Sequence, residues 1–238
     1  NNPCGVAIRD NLLDAYLDAL SCDNISAFGG ILTSNQTIDI KVAEQINKLF
    51  FEVLIAPNFS ESALDLLKSK KNRIIIKLKS YPTNKLQTRS CLNGILEQDI
   101  DDKIEKFDDF KVVTKISPNF TKSDDLVLAS IIVKHTKSNC IAIVKNKQLI
   151  GSGMGQVSRV DALNQAIEKS KKFGFDLNES CLASDAFFPF SDCVEISHAN
   201  NINSIVQPGG SIKDQDSIDF CNKNGMSMVF SGIRHFRH

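Results

Sequence analysis

Rings and carboxylates are mixed in the segment Ala183 to Asp192, whose sequence is ASDAFFPFSD. Three phenylalanines around one proline are too many for a solvated loop, while Asp185 and Asp192 are too polar for a core segment. Flat rings can sandwich a heteroaromatic ligand, and carboxylates can pair with its amino or ring N–H groups. The segment therefore predicts the wall of a ligand pocket. A hydrophobic staple with Asp192 as N-cap of the next helix fits the same residues, and the two interpretations are compatible.

A polar patch, Thr136 to Cys140, stands between a helical run and a strand-like run. Its Asn139 offers both a donor and an acceptor, which holding an amide or formyl oxygen requires. A helix-ending turn without any ligand explains the same composition. Asn139 is therefore a candidate site residue, and the turn is the alternative.

Glycines and one arginine characterise the segment Gly151 to Arg159, GSGMGQVSR. Glycines let backbone N–H groups converge, and a helix N-terminus capped by Ser158 and carrying Arg159 favours an anion. The run lacks both the GxGxxG spacing of dinucleotide sites and the Lys-Ser/Thr pair of a P-loop, which argues against NAD and against ATP γ-phosphate chemistry. We predict a loop between strand and helix that attracts an anion.

Three further segments could approach a ligand closely. In Ser26 to Gly30, two glycines lie beside an aromatic ring, although a glycine bulge inside a strand explains them equally well. Gln207 to Ser211 is a glycine-containing turn before a helix. The tail Arg234 to His238 places two arginines and two histidines within five residues. Such a tail is either disordered, as basic tails commonly are, or anchored next to the preceding strand.

The composition excludes several classes of partner. Lys plus Arg equal Asp plus Glu at 28 each in 238 residues, so no net field attracts nucleic acid or an anionic membrane. Seven cysteines without CxxC spacing, mostly inside apolar runs, indicate buried reduced thiols and a cytoplasmic protein. The histidines have no close cysteine partner and no HxE sequence occurs, so no zinc site is expected. No apolar run reaches transmembrane length.

Hydrophobic periodicity predicts the elements that must position these segments. Helical spacing alternates with short apolar runs, which is typical of α/β layers around a largely parallel sheet, or of two subdomains around mixed sheets. Ligands in such sheets bind outside the carboxyl ends of the strands. The predicted helices cover residues 11–21, 39–51, 60–70, 124–135, 160–173, 193–200 and 214–224, and the predicted strands cover 25–33, 52–56, 73–78, 140–144, 180–184, 204–206 and 227–230.

The alternation weakens between residues 80 and 118, where the sequence is charged and irregular. We therefore predict a first α/β segment over 1–80, an irregular excursion or linker over 81–118 that could also form a hairpin, and a second α/β segment with the main substrate loops over 119–238. The acidic run 99–109 has no histidine and no ligand-like spacing, so it is interpreted as a solvated face.

Eight short motifs follow one another along nearly the whole chain: NPCGVA, SAFGGI, VLIAPNFS with the following KKN, TKSN, GQVSRVD, ASDAFFPF, QPGGSI and RHFRH. Together they resemble the AICAR transformylase family, the C-terminal half of the bifunctional AICAR transformylase/IMP cyclohydrolase of purine biosynthesis. The resemblance implies transfer of a formyl group from the cosubstrate 10-formyltetrahydrofolate to the 5-amino group of AICAR, giving FAICAR. It also implies a zinc-free fold similar to cytidine deaminase and a homodimer, and it allows a bound potassium ion.

The resemblance also assigns residues. Asn139 would lie at the transferring formyl group, while Arg159 and Arg234 would serve the phosphate of the nucleotide or nearby polar groups. Phe28 and Gly29 would contact AICAR. The other residues assigned are Phe187, Asp192 and Pro208 in the substrate pocket, and Glu52, Phe188 and Pro189 on the folate side.

In this family a Lys-His pair immediately precedes the NPCG-like segment, where the histidine handles the proton and the lysine assists departure of the folate nitrogen. The present chain begins at Asn1, so we expect it to carry much of the pocket without the complete catalytic set. The cyclohydrolase half is expected in an N-terminal part of the parent. A non-catalytic nucleotide- or folate-binding module with the same loops is the alternative, and upstream coding sequence would separate the two.

Overall fold

A computed structural model describes residues 2–237, and within them the backbone groups into two compact units. Unit 1 combines the chain up to Phe28 with the chain from Glu105 onward, and unit 2 is Gly29–Ile104. This grouping differs from the predicted segments 1–80, 81–118 and 119–238. The reason is long-range pairing: the N–H of Ile8, for example, donates to the carbonyl of Lys147 at 2.9 Å.

Helices and strands alternate along the chain, which confirms the predicted α/β class. The helices are α1 (Leu12–Cys22), α2 (Ile40–Ile46), α3 (Glu61–Lys68), α4 (Phe120–Lys134), α5 (Arg159–Lys172), α6 (Asp192–Ala199) and α7 (Asp214–Lys223). The strands are β1 (Gly30–Thr33), β2 (Phe51–Ala56), β3 (Ile74–Lys77), β4 (Leu86–Cys91), β5 (Gly94–Asp99), β6 (Lys111–Val112), β7 (Ile141–Lys145), β8 (Gln148–Gly153), β9 (Ser180–Ser184), β10 (Ile202–Gln207) and β11 (Ser227–Phe230).

Unit 1 contains a sheet that, among residues 2–237, has six strands in the order β6, β11, β10, β9, β7 and β8. Strands β9, β10 and β11 run parallel, whereas β6, β7 and β8 pair antiparallel with their neighbours. We call this the larger sheet. It is mixed, which confirms the expectation of mixed sheets, and the largely parallel arrangement holds within it for β9, β10 and β11.

The core of unit 1 lies on both faces of the larger sheet, because successive side chains of a strand point to opposite sides. Ile141 and Ile143 of β7 pack with helices α5, α6 and α7, whereas Ala142 and Val144 pack with α4 and Cys22. Strands β9, β10 and β11 divide their side chains in the same way. This two-sided burial explains why apolar residues are consecutive in these strands, as in IAIV of β7 and IV of β10, and do not alternate with polar ones.

The hairpin β7–β8 was missing from the predicted elements. Its two turn residues, Asn146 and Lys147, have φ values of 53° and 58°, as tight hairpin turns require. The buried carboxylate of Asp125 accepts from both of their N–H groups, at 2.9 and 2.6 Å. A helix residue more than twenty positions earlier therefore stabilises the turn, which short-range sequence patterns do not reveal.

The glycines after this turn serve packing. A Cβ on Gly153 would lie 1.8 Å from the carbonyl oxygen of Ala162, and one on Gly151 would lie 2.3 Å from that of Ala166. Both distances are shorter than any normal contact, so α5 can lie directly on β8 only because these positions lack a side chain. The expectation that the loop begins at Gly151 was wrong, because Gly151 and Gly153 belong to strand β8.

Unit 2 contains a parallel three-stranded sheet, β1–β2–β3, and the separate hairpin β4–β5. Phe51 and Leu54 of β2 are buried with the apolar faces of α2 and α3. Nearly every side chain of β4 and β5 is exposed. Two predictions change here: helix α2 ends at Ile46 instead of residue 51, and strand β1 begins at Gly30 instead of residue 25.

Candidate functional site

Three segments meet at one edge of the larger sheet because β9, β10 and β11 are parallel and end there. The loop 185–191 follows β9, the turn 208–213 follows β10, and the tail from Ser231 follows β11. The turn and the tail are joined by a bond from the N–H of Gly232 to the carbonyl of Pro208, at 3.1 Å. The sequence motifs ASDAFFPF, QPGGSI and RHFRH are thereby brought together.

Asp185, the first residue after β9, is fully buried. Among the described residues, neither of its carboxylate oxygens has a hydrogen-bond partner, and Nη2 of Arg159 lies 3.8 Å from Oδ1. Its backbone forms two hydrogen bonds: its N–H donates to the carbonyl of Cys140 at 3.4 Å, and its carbonyl accepts from the backbone N–H of His235 at 3.1 Å. A buried carboxylate without donors is costly, so its presence indicates a function.

Two guanidinium groups lie against aromatic rings beside Asp185. The Cζ of Arg234 is 4.5 Å from the ring centroid of Phe187 and 5.9 Å from that of Phe236. The Cζ of Arg159 is 6.0 Å from the same Phe236 ring. Arg159 is also the first residue of α5, whose N-cap Ser158 accepts from Asp161, as predicted. Two cations near one ring and a helix N-terminus give this place a local positive charge in a chain of zero net charge, and the binding of an anion there stays a prediction.

Asn139 lies in the segment that connects α4 to β7, and a cis peptide bond joins it to Ser138. Its Nδ2 donates to the carbonyl of Gln156 at 3.0 Å, and the two backbones also exchange N–H···O contacts of 3.3 Å. Ser138 binds the tail, because its N–H donates to the carbonyl of Arg237 and its Oγ accepts from the N–H of Arg237, both at 2.9 Å. The segment Thr136 to Cys140 therefore adjoins the tail and Asp185.

The tail is anchored, which decides between the two interpretations of its sequence for the residues described. His235 and Glu105 are 3% and 1% exposed, and Nε2 of His235 lies 2.8 Å from Oε1 of Glu105. Burial raises the pKa of Glu105, but hydrogen bonds from His235 and its own backbone, with the charge of Lys134, outweigh burial and hold that pKa below its usual value. His238 lies outside the described residues.

The remaining residues assigned after Phe187 have different environments. Phe188 is fully buried in the core, so it supports the loop from behind, whereas Pro189 is exposed. Pro208 is buried at the end of β10. Asp192 is the first helical residue of α6 and accepts from the N–H of Cys193 at 2.8 Å. The N-cap is therefore Ser191, one residue before the predicted one.

The contacts described above do not test the assignment of Phe28, Gly29 and Glu52, of which Gly29 and Glu52 lie in unit 2. Phe28 is an exposed ring at the last residue of the first chain segment of unit 1. Gly29 opens unit 2 with a φ of +71°, and its N–H donates to the carbonyl of Phe50 at 2.9 Å. Glu52 is an exposed residue of β2. Their assignment to AICAR and folate stays a prediction.

The cysteines are free thiols, and five of them are buried. Burial raises the pKa of Cys22 to about 11 and those of Cys181, Cys193 and Cys221 to about 12, so these thiols are unreactive at neutral pH. Between residues 2 and 237, no group of three or more His, Cys, Asp and Glu side chains could hold a metal ion. In the same part of the chain, no helix is both long and apolar enough to cross a membrane.

Comparison with known proteins agrees with the ordered motifs. The model of the AICARFT/IMPCHase bienzyme family matches residues 1–169. The chain belongs to this family. The Bifunctional purine biosynthesis proteins PurH of Bacteroides thetaiotaomicron, Acetivibrio thermocellus and Aquifex aeolicus are 54%, 48% and 44% identical over 238, 241 and 238 residues. All three matches cover 100% of this chain and 46–47% of the relative, so the chain spans about half the length of these relatives.

A solved structure from Thermotoga maritima, a diaminohydroxyphosphoribosylaminopyrimidine deaminase/5-amino-6-(5-phosphoribosylamino)uracil reductase, is 18% identical. The match covers 45% of this chain and 34% of the solved chain, with a TM-score of 0.33. A likeness this small carries no argument about the fold. Membership of the bienzyme family is thus confirmed, and the similarity to cytidine deaminase stays a prediction.

Proposed function

We propose that this chain of the bienzyme family carries the formyltransferase pocket, in which the formyl group of 10-formyltetrahydrofolate is transferred to AICAR to give FAICAR. One observation supports it most: Arg159, Arg234 and Phe187, predicted from separate motifs, lie beside Asp185 at one edge of the larger sheet, and Cys140, the neighbour of Asn139, accepts from the N–H of Asp185. Such an edge is where open α/β sheets bind their ligands.

The chemistry requires alignment more than a strong nucleophile. The amine of AICAR donates its lone pair into the imidazole ring, so it attacks the formyl carbon reluctantly. A new C–N bond forms, the bond between the formyl carbon and the folate nitrogen breaks, and a proton moves from the amine to that folate nitrogen. A protein can accelerate this step by aligning the amine with the formyl carbon and by stabilising the negative charge that develops on the formyl oxygen.

Each clustered residue has a role that its environment suits. Arg159 and Arg234 bind the phosphate, because guanidinium groups pair with phosphate oxygens in a fork geometry. Phe187 stacks on the imidazole ring, and Asn139 donates to the formyl oxygen. The proton is handled by the Lys-His pair that the family resemblance implies before the NPCG-like motif.

Asp192 and Pro208 line the substrate pocket and Pro189 is assigned to the folate side, while the folate role of Glu52, in unit 2, is kept as a separate prediction. A pterin ring offers amino and ring N–H groups that a carboxylate can accept from, and proline and glycine allow close approach of the backbone. Phe188 acts only from the core, by fixing the loop that carries its neighbours.

We extend the proposal to a potassium ion beside Asp185, whose carboxylate oxygens have no hydrogen-bond partner among residues 2–237 and would be the one side-chain ligand, with backbone carbonyls as the others. Carboxylate and backbone carbonyl oxygens can replace the hydration shell of this ion, which would supply a fixed positive charge under the pocket. Replacing KCl by choline chloride at constant ionic strength should lower the melting temperature of the wild type. The Asp185→Asn variant should not respond, and an equal response of both proteins would reject the site.

Isothermal titration of the full-length gene product with AICAR and with a folate analogue tests the main proposal. Arg234→Ala should weaken AICAR binding roughly a hundredfold, because charge-assisted contacts to phosphate are lost. Lys172→Ala is the matched control, since its Nζ also lies over a ring, that of Phe173, at 5.5 Å on the far end of α5. Equal AICAR affinity in all three proteins would reject the phosphate role.

The same preparation separates the competing functions. Formylation of AICAR that is lost in Phe187→Ala, while ring closure of FAICAR to IMP continues, supports a formyltransferase pocket in these residues. Loss of ring closure alone would assign them to the cyclohydrolase half. Binding without turnover would favour the non-catalytic module. The homodimer stays a prediction, which light scattering of the same protein tests directly.

A further inference from the structure

Gln207, the last residue of β10, has a side chain that is fully buried. Its Oε1 accepts from the N–H of Phe188 at 2.9 Å, and its Nε2 lies 3.6 Å from Sδ of Met228. Its backbone carbonyl accepts from the N–H of Ser231 at 2.9 Å. One residue therefore connects the loop after β9, the end of β10 and the start of the tail after β11.

A buried carboxamide at this position is less favourable for stability than an apolar side chain of the same size. Burying a carboxamide is unfavourable unless its polar atoms are bonded, and a thioether is a weak acceptor. A methionine or leucine would fill the same space without that cost. What the amide provides is an acceptor for the buried N–H of Phe188, which would otherwise lack one. The bond also fixes which end of the amide faces the loop, since an NH₂ group there would meet another donor.

The loop is consequently held at two points. The ring of Phe188 is fixed in the core, and its N–H is fixed by Gln207. Phe187 directly precedes this fixed N–H, and its ring lies under the guanidinium of Arg234 at 4.5 Å. Rotation of the Phe187–Phe188 peptide unit would turn the Phe187 ring away from Arg234.

We propose that Gln207 is a positioning residue that holds Phe187 in the orientation that receives the substrate ring. This inference rests on the proposed function, because it assumes that Phe187 stacks on AICAR. Gln207 touches no substrate atom in this assignment and acts only through the backbone of Phe188.

The test compares three variants of the full-length protein in AICAR titration and steady-state kinetics. Gln207→Met keeps the volume and removes the acceptor, so AICAR affinity should fall about tenfold and KM should rise, with kcat little changed. Gln207→Glu keeps an acceptor oxygen at the same reach in either protonation state, so affinity should recover to within about threefold of wild type. Ser204→Ala is the matched control, because it removes a buried bond of β10, that to Ser227 at 2.8 Å, away from the loop.

Hydrogen exchange of the peptide containing Phe188 gives a readout that a general loss of stability does not mimic. Exchange should accelerate in Gln207→Met and not in Ser204→Ala, when each variant is measured at the same number of degrees below its own melting temperature. If Gln207→Met does not fold, Gln207→Asn, whose amide is one methylene shorter, takes its place with the same expectations.

The outcomes separate two kinds of failure. A wild type that binds neither AICAR nor a folate analogue rejects the proposed function itself. A wild type that binds AICAR while Gln207→Met binds it equally well rejects only the positioning role. A parallel loss of affinity in Gln207→Met and Ser204→Ala would also reject it, because stability alone would then explain the effect.

Discussion

Units 1 and 2 place their apolar residues differently, and the candidate cluster lies in the unit with the two-sided core. In unit 1 the larger sheet is covered on both faces, and its strands β7 to β11 carry no exposed side chain. In unit 2 the hairpin β4–β5 exposes apolar side chains, including Leu92, Ile95 and Leu96. A buried carboxylate such as Asp185 is tolerated only where the surrounding packing holds it in place. The buried charge therefore lies in the unit whose sheet is packed on both faces.

A Gly→Ala substitution in each unit should give the largest difference in the free energy of unfolding between the two units. Gly153→Ala places a Cβ 1.8 Å from the carbonyl oxygen of Ala162, so α5 must leave β8, and we expect a loss of more than about 4 kcal/mol in the free energy of unfolding. Gly94→Ala in β5 meets Cys91 only at 3.7 Å and should change it by less than about 0.5 kcal/mol. Urea unfolding of both variants measures the difference. Similar losses would mean that close packing does not distinguish the units.

A leucine truncation in each unit should give the next largest contrast. Leu182→Ala empties space in the core of unit 1 and should cost about 3 kcal/mol. Leu96→Ala removes a side chain from a residue that is 60% exposed, so the free energy of unfolding should stay within about 0.5 kcal/mol of wild type. Thermal and denaturant unfolding check both values. A large loss in Leu96→Ala would show that the hairpin is covered in solution.

The buried pair of Glu105 and His235 should contribute a smaller, pH-dependent amount. Glu105→Gln weakens the 2.8 Å bond to His235, and we expect a loss of about 2 kcal/mol at neutral pH. The folded state lowers the pKa of Glu105, so its contribution is present above the ordinary glutamate pKa and disappears as the pH falls through the lowered value. The stability difference between wild type and variant should therefore shrink in acid.

The exposed pair of Lys145 and Asp176, at 2.9 Å, provides the control for that experiment. Asp176→Asn should change stability little at any pH, because solvent screens the pair. If the stability difference between wild type and Glu105→Gln stayed constant down to acidic pH, the lowered pKa of Glu105 would not be its cause.

The reactivity of one cysteine in each unit should also differ, and measuring it requires no substitution. Cys91 is exposed in β4, whereas Cys193 is buried and its pKa is raised to about 12. Iodoacetamide should therefore alkylate Cys91 in the native protein and reach Cys193 only after unfolding. Mass spectrometry before and after urea treatment resolves the two sites. Native labelling of Cys193 at a rate similar to Cys91 would contradict the packing described for unit 1.

Much of the secondary structure was predictable from periodicity. Strands β9 and β11 were predicted at their observed bounds, and the helix bounds of α1, α5 and α7 were within one or two residues. The elements that were missed depend on distant partners. Hairpin β7–β8 needs Asp125 at its turn, and β6 exists only because Lys111 and Val112 pair with β11.

The candidate site was predictable as a set of motifs but not as an arrangement. The ring and carboxylate mixture of 183–192 indicated a pocket wall, and Arg159 and Asn139 were named from their own segments. Neither the full burial of Asp185 nor the role of Gln207 was predicted. A sequence signal existed for Gln207, a polar residue that directly follows the apolar pair Ile205-Val206 and directly precedes Pro208.

By itself, the sequence determined the α/β class, the order of the motifs and the family, because local periodicity and ordered residue identities are properties of the chain in one dimension. Only the tertiary structure decided that Gly151 and Gly153 allow close packing, that the tail is held by Glu105, and that the buried carboxylate of Asp185 has no hydrogen-bond partner among residues 2–237. Those facts depend on atoms from residues far apart in sequence. The physical reason is that burial and close contact arise only when distant segments pack against one another.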